Sequence, residues 1–302
     1  MDSQYLDLLV HPVNKLALKF DGVNNQLVEE STGDCFSIKE GVPVLLSKIA
    51  PKNISKTEIH NSEGTQFEYR AHYQNDAELF DYTAETKDPL EKAEIQRLHQ
   101  NILAEVPKNA SWILDVGTGG AWLAKNLVPL GKNVISMDIS EKNPIRAIKN
   151  LPSSHHFALV ADVFELPIKD NAMDVIVASE IIEHLSQPGV FIAALYKALK
   201  PGGKIIITTP YNETIQYSQC IHCNHLTPQN AHLHSFTEYS ILKFLPENIK
   251  SYQTKIINNK ILAKLRLQLI LKGLPLPLWN IVDKISNKII KKSFRLMLII
   301  KK

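Results

Sequence analysis

An apolar run, Trp112 to Val116, leads straight into Gly117-Thr118-Gly119-Gly120 and then into a helical pattern. Glycines at a strand-to-helix turn leave bare backbone at the carboxyl end of a strand, where a ligand can approach closely. Asp138 follows 21 residues after Gly117 and ends the next apolar run, the place from which a carboxylate hydrogen-bonds ribose hydroxyls. A dinucleotide site needs a third glycine so that pyrophosphate can rest on the helix N-terminus, and Trp122 stands there instead. Asp115 adds a carboxylate that repels phosphate but pairs with an amino group or a sulfonium. These residues point to a nucleoside without a diphosphate, and S-adenosylmethionine (SAM) has that charge pattern.

Two further groupings could do chemistry. Glu180-Ile181-Ile182-Glu183-His184 follows an apolar run and offers in His184 an imidazole suited to general-base work. Cys220 and Cys223, three apart, precede His225, His232 and His234. Two thiolates at that spacing with imidazoles about ten residues on match a tetrahedral zinc site, giving Cys220, Cys223 and His232 as ligands with His234 or His225 as the fourth. A structural zinc, a catalytic one, and reduced cysteines lining a pocket without metal all remain open readings. A redox role is disfavoured, because the pair does not open a helix after a strand.

The elements that must position these residues alternate. Strands are expected at 112–116, 133–138, 157–161, 174–178 and 204–209, with helices at 121–130, 144–150 and 189–199 between them. Such alternation implies a doubly wound, mostly parallel sheet in an α/β fold. Asp88-Pro89-Leu90-Glu91 starts an earlier helix running to about Val106, with Asp as cap, Pro in the first turn and Glu closing a capping box. A helix at 237–245 and strands at 252–257 and 294–300 complete the chain, leaving 258–293 as an insertion. Residues 1–50 hold short β-like runs between turn formers, and 51–64 read as a polar linker.

Taken in order, ILDVGTGGAWLA, VISMDIS, VADVFELPIKDNAMDVIVASEIIEHL and ALKPGGKIIITTP resemble the class I SAM-dependent methyltransferase family. The resemblance implies a seven-stranded Rossmann-like sheet within residues 65–302 and methyl transfer to an acceptor. It implies that Asp115, Gly117, Thr118 and Gly119 lie at the methionine moiety, Asp138 and Ile139 at the ribose, and Asp162 and Val163 at the adenine edge. Ser179 and Glu180 would face the methyl group. The Glu-His pair recurs across the family whatever the acceptor, so His184 either organises its loop or acts as base. The segment 211–236 resembles an acceptor lid, with Asn224 where related sequences have glycine. Residues 5–46 resemble a small zinc-ribbon-like domain, but His11-Pro12-Val13-Asn14 replaces the metal knuckle, so docking or core support is its expected role.

Composition sets the outer bounds. The 302 residues are 44% hydrophobic and 22% charged, which excludes wholesale disorder. Three cysteines are too few for a disulfide framework. No apolar run approaches the ~18 residues of a spanning helix, and the first residues lack a basic flank leading into an apolar stretch, so a cytoplasmic, unprocessed protein is expected. The net charge of +3 is unevenly spread: residues 250–302 carry 13 basic side chains against one acid, net +12, and the remainder 21 against 30, net −9. Leucines and isoleucines within 260–272 and 278–290, with lysines between them, fit two short helices. Their apolar face either packs on the domain with lysines outward or lies on anionic lipid at the inner face of the membrane.

The function expected is O-methylation of a small molecule or saccharide, with a lipid-linked saccharide as the more specific acceptor. Two rivals are a non-catalytic SAM-binding scaffold with a protein partner at residues 1–50, and an RNA or protein methyltransferase. DNA is not expected as a partner, because the body is acidic.

Overall fold

The computed structural model describes residues 1–48, 68–221 and 224–302. The expected linker 51–64 therefore lies outside the described residues, as does Cys223. Thirteen described strands are β1 Lys19–Asp21, β2 Gln26–Glu29, β3 Asp34–Lys39, β4 Val42–Leu45, β5 Trp112–Val116, β6 Asn133–Asp138 and β7 His156–Ala161. They continue as β8 Met173–Ser179, β9 Leu199–Pro210, β10 Tyr217–Gln219, β11 Leu226–Pro228, β12 Ser251–Asn259 and β13 Ser293–Lys301.

Eleven of these form one sheet in the order β1-β2-β3-β4-β7-β6-β5-β8-β9-β13-β12. From β7 to β12 this is the expected seven-stranded, doubly wound arrangement: five parallel strands, then β13 antiparallel to β9 and β12 antiparallel to β13. The order reverses at β5, next to β8, which creates a crevice beyond the carboxyl ends of β5 and β6. Strands buried on both faces must be apolar throughout. Within β5, Leu114 and Val116 face one core with Ile135, Met137, Ile176 and Ile207, whereas Ile113 faces the other with Val134, Val175 and Ile206.

The N-terminal strands enlarge the sheet to eleven because Val44 and Leu45 of β4 pair in parallel with Val160 and Ala161 of β7. Tyr5 adds a buried hydroxyl donating to the Ala158 carbonyl at 2.8 Å. Hydrogen bonds hold the turns of these N-terminal strands. His11 Nδ1 accepts from the amides of Val13 and Asn14, and Glu29 accepts from the amides and hydroxyls of Ser31 and Thr32.

The helix Pro89–Glu105 starts as its sequence dictates, with Asp88 accepting from the Leu90 amide at 2.9 Å. Its expected capping box is not made: Glu91 takes the Thr86 hydroxyl instead. The expected helix at 237–245 is reduced to one tight turn, Ile241–Phe244.

The insertion departs most from expectation. The run 260–272 is broken at Arg266, whose φ of +57° ends Lys260–Lys264 before Leu267–Ile270 begins. The helix Leu276–Ile289 buries Trp279, Asp283 and Asn287 rather than its isoleucines. Asp283 accepts the amides of Asn258 and Asn259, while Asn287 bonds Asn259 and Ser293, so the inward face is a hydrogen-bonded polar ladder. Burial pushes the Asp283 carboxyl up to about 6. Among the described residues no helix is long and apolar enough to cross a membrane.

Candidate active site

The glycine turn is fixed from below by two hydrogen bonds, the amides of Gly117 and Thr118 both donating to the Met137 carbonyl at 2.8 and 3.0 Å. Gly117 sits at φ +71°, and a Cβ there would come 2.1 Å from Ile181 Cδ1. A Cβ on Gly120 would meet the Tyr82 carbonyl oxygen at 2.3 Å. Glycine is therefore required twice over in this turn, by conformation and by space.

Asp115 is buried and accepts the Thr118 hydroxyl at 3.0 Å; burial pushes its carboxyl up to about 7, with the Asp138 charge adding to the shift. Asp138, at the end of β6, accepts from the Ser140 amide and hydroxyl and from Asn143, and desolvation also raises its pKa. Ile139, just after β6, and Val163, just after β7, are half-buried. Ser179, at the end of β8, shares a 2.9 Å hydrogen bond with Thr208 of β9.

Asp162, expected at the adenine edge, has both carboxylate oxygens engaged by the protein. One oxygen accepts the Phe164 amide, and the other holds Tyr69 and Arg70 of the helix Tyr69–Leu79. Arg70 also reaches the Ser47 carbonyl, so this carboxylate anchors a cover over the strand ends.

A second set of groups lines a cavity of about 390 Å³ beyond β8 and β9: Glu180, Glu183, His184, Glu213, His232 and Arg295. Glu183 is fully buried and accepts the Thr209 hydroxyl at 3.0 Å. Burial and the neighbouring Glu180 charge raise its pKa well above the carboxylate range; Glu180 itself is pushed to about 7, again chiefly by burial. His184 is held near 4 by burial and by the adjacent His232, so it is neutral at pH 7.

Residues 114–207 match the sequence profile of the family described as "Methyltransferase domain". That span runs from the glycine turn through Asp138, Asp162 and the Glu180–His184 segment. It is this segment of the chain that is similar to methyltransferase domains. The mitochondrial ubiquinone biosynthesis O-methyltransferase of Rattus norvegicus is 35% identical over 37% of this chain and 34% of its own length. The malonyl-[acyl-carrier protein] O-methyltransferase of Buchnera aphidicola is 36% identical over 38% of this chain and 47% of its own. The chain thus spans a third to about half the length of these curated relatives. Among solved structures, a phosphoethanolamine N-methyltransferase of Haemonchus contortus in complex with SAM aligns at TM-score 0.47 and 16% identity, over 69% of this chain and 52% of that one.

The residues around the glycine turn fit SAM. Gly117 and Gly120 have no room for side chains, Gly119 adopts a left-handed backbone at φ +45°, and two carboxylates stand at the ends of β5 and β6. Asp115, Gly117, Thr118 and Gly119 lie at the end of β5, Asp138 and Ile139 at the end of β6, and Ser179 at the end of the neighbouring β8.

Of the expected zinc ligands, Cys223 lies outside the described residues. Among the described residues the potential metal donors that cluster are Glu183, His184 and His232, and neither Cys220 nor His234 joins them. Cys220 is carried out on the β10–β11 hairpin, whereas the His234 ring packs against Phe236 and Phe244. Spacing along the chain could not foresee this, because the hairpin separates the thiol from the imidazole that follows it. Sequence reasoning also missed Arg70, Tyr69 and Tyr82, which come from a polar stretch with no motif, and Arg295, which the last strand returns to the site.

Proposed function

We propose that this methyltransferase transfers the SAM methyl group to a hydroxyl oxygen of a small-molecule acceptor bound in the cavity beside His184, and that the acceptor is lipid-linked, such as a lipid-linked saccharide. The observation that carries the reading is the pairing of two features at the carboxyl ends of the parallel strands: a glycine turn after β5, closely packed by Ile181 and Tyr82, and a polar cavity at the ends of β8 and β9. The O-methyltransferase activity named for both curated relatives supports oxygen as the acceptor atom.

When bound, SAM supplies a methyl group on a good sulfonium leaving group, so the protein's task is alignment and exclusion of water. Gly117 and Gly119 admit the cofactor backbone, and Asp138 orients the ribose. The hydroxyl proton passes to neutral His184 or to solvent.

The lipid-linked part of the reading draws on the helix Leu276–Ile289. Its outer stripe, Leu278, Ile281, Ile285 and Ile289, is 50–76% exposed, because the inward face is taken by the polar ladder. Exposed Lys264, Arg266, Lys272, Lys284 and Lys288 flank this stripe and complement an anionic lipid surface.

Calorimetry with SAM tests the first part. Micromolar binding that is lost in Asp138→Ala and Gly117→Val supports the reading, and absence of binding by the wild type overturns it. Flotation with anionic vesicles tests the second. Ile281→Ser/Ile285→Ser should stay in solution while the wild type floats, and wild type that stays in solution removes the membrane from the proposal.

A further inference from the structure

We propose that Glu183, His184 and His232 bind a divalent transition-metal ion in the wall of the acceptor cavity. Their donor atoms lie within 4.8 Å of one another, a spacing that small side-chain rotations close around an ion. His184 Nε2 is 4.0 Å from Glu183 Oε1, and the two imidazoles meet edge-on with ring centroids 4.8 Å apart.

An independent observation concerns the far side of each ring. His232 Nδ1 lies 2.6 Å from a carboxylate oxygen of Glu213, and His184 Nδ1 lies 3.3 Å from the Ala231 carbonyl. Both partners are acceptors, so each ring donates from Nδ1 and keeps its Nε2 lone pair for the centre of the cluster. Imidazoles oriented in this way by carboxylate or carbonyl partners are the usual outer shell of a metal site. The lid is tied to the site as well, since the Glu183 carbonyl accepts the amides of Leu233 and His234 at 2.7 and 3.1 Å, which fixes the segment carrying His232.

Two imidazoles and one carboxylate favour a first-row transition ion such as Zn²⁺ or Co²⁺ over Mg²⁺ or Ca²⁺, which prefer all-oxygen sites. Three protein ligands leave positions open toward the cavity, where an acceptor hydroxyl could bind and lose its proton more readily. The proton would go to solvent, and the C–O bond would form as the C–S bond of SAM breaks. This role rests on the acceptor-site reading above, whereas binding of the ion does not and can be measured without SAM or acceptor.

The test is titration of chelator-treated protein with Co²⁺, followed by calorimetry and by the visible absorption of the bound ion. One equivalent should bind. Glu183→Gln and His184→Ala should each weaken binding at least tenfold, Glu213→Gln about tenfold, and Cys220→Ser should bind as the wild type does. Circular dichroism establishes that each variant is folded, and Glu213→Gln keeps the test decisive if Glu183→Gln is not, because it leaves all three ligands in place. Failure of the folded wild type to take up Co²⁺, or loss of binding in Cys220→Ser, overturns the proposal. Protein that binds Co²⁺ but not SAM keeps the metal site and removes the transferase reading; the reverse result removes the metal alone.

Discussion

Arg295 Nε, brought back by the last strand, lies 2.8 Å from a carboxylate oxygen of Glu180. Glu180 and Glu183 confront each other in a cavity wall where, among the lining residues, the other cationic side chain is Lys260. The antiparallel return of β13 along β9 therefore does more than widen the sheet, since Arg295 pairs in register with Pro210 at the point where β9 enters the lid.

Arg295→Met should accordingly destabilise the fold by about 1–3 kcal/mol, because it leaves a carboxylate desolvated without its cation. Arg295→Lys should recover part of this loss, as a point charge in place of a planar fork. Urea denaturation of the three proteins checks the order, and equal midpoints would show that the pair contributes nothing.

Gly117 and Gly202 share a left-handed backbone, φ +71° and +81°, but not a neighbourhood. Alanine at Gly202 meets nothing within 4 Å and should cost only the conformational term, about 1–2 kcal/mol. At Gly117 the added methyl also collides with Ile181. Gly117→Ala should therefore lower the thermal midpoint further than Gly202→Ala, and Ile181→Ala in the same chain should recover the difference. Differential scanning calorimetry of the wild type and these three variants separates the two terms.

The parallel core and the cofactor end were legible in sequence because both are local. Continuous apolar runs specify strands buried on two faces, and Gly117 to Gly120 and Asp138 stand at strand ends where the chain itself places them. The polar cavity was only half legible. Glu180, Glu183 and His184 form a visible run, but Glu213, His232 and Arg295 reach it through the lid and the last strand, and no spacing along the chain encodes that return. The insertion shows a further limit. Periodicity placed an apolar face on 278–290 correctly, yet which face turns inward was decided by Asn258, Asn259 and Ser293, polar partners outside the helix that the period cannot register.

Trp279 and Ile285 provide the test of that inverted helix. Trp279 is completely buried, with the Arg97 guanidinium 4.7 Å over its ring, whereas Ile285 is 53% exposed. Trp279→Ala should cost about 3–5 kcal/mol as a large cavity opens. Ile285→Ala should change stability by no more than about 0.5 kcal/mol, as surface substitutions do. Chemical denaturation measures both, and a large loss at Ile285 would mean that its face is covered.

Glu29 makes the N-terminal strands sensitive to acid. Hydrogen bonds from Thr32 and Ser31 hold its carboxyl at about 2, below the ordinary value of 4.5. A depressed folded pKa means that the unfolded chain binds more protons as the pH falls below 4.5. The stabilisation is fully present above about pH 4.5 and is lost progressively as the pH falls toward 2. Glu29→Gln keeps an acceptor oxygen but removes the charge, so it should be less stable than wild type at pH 7, and the gap should narrow through that window. The thermal midpoints of both proteins between pH 7 and 3 give the comparison; a gap that stays constant with pH would show that the ionised form of Glu29 has no preference for the folded state.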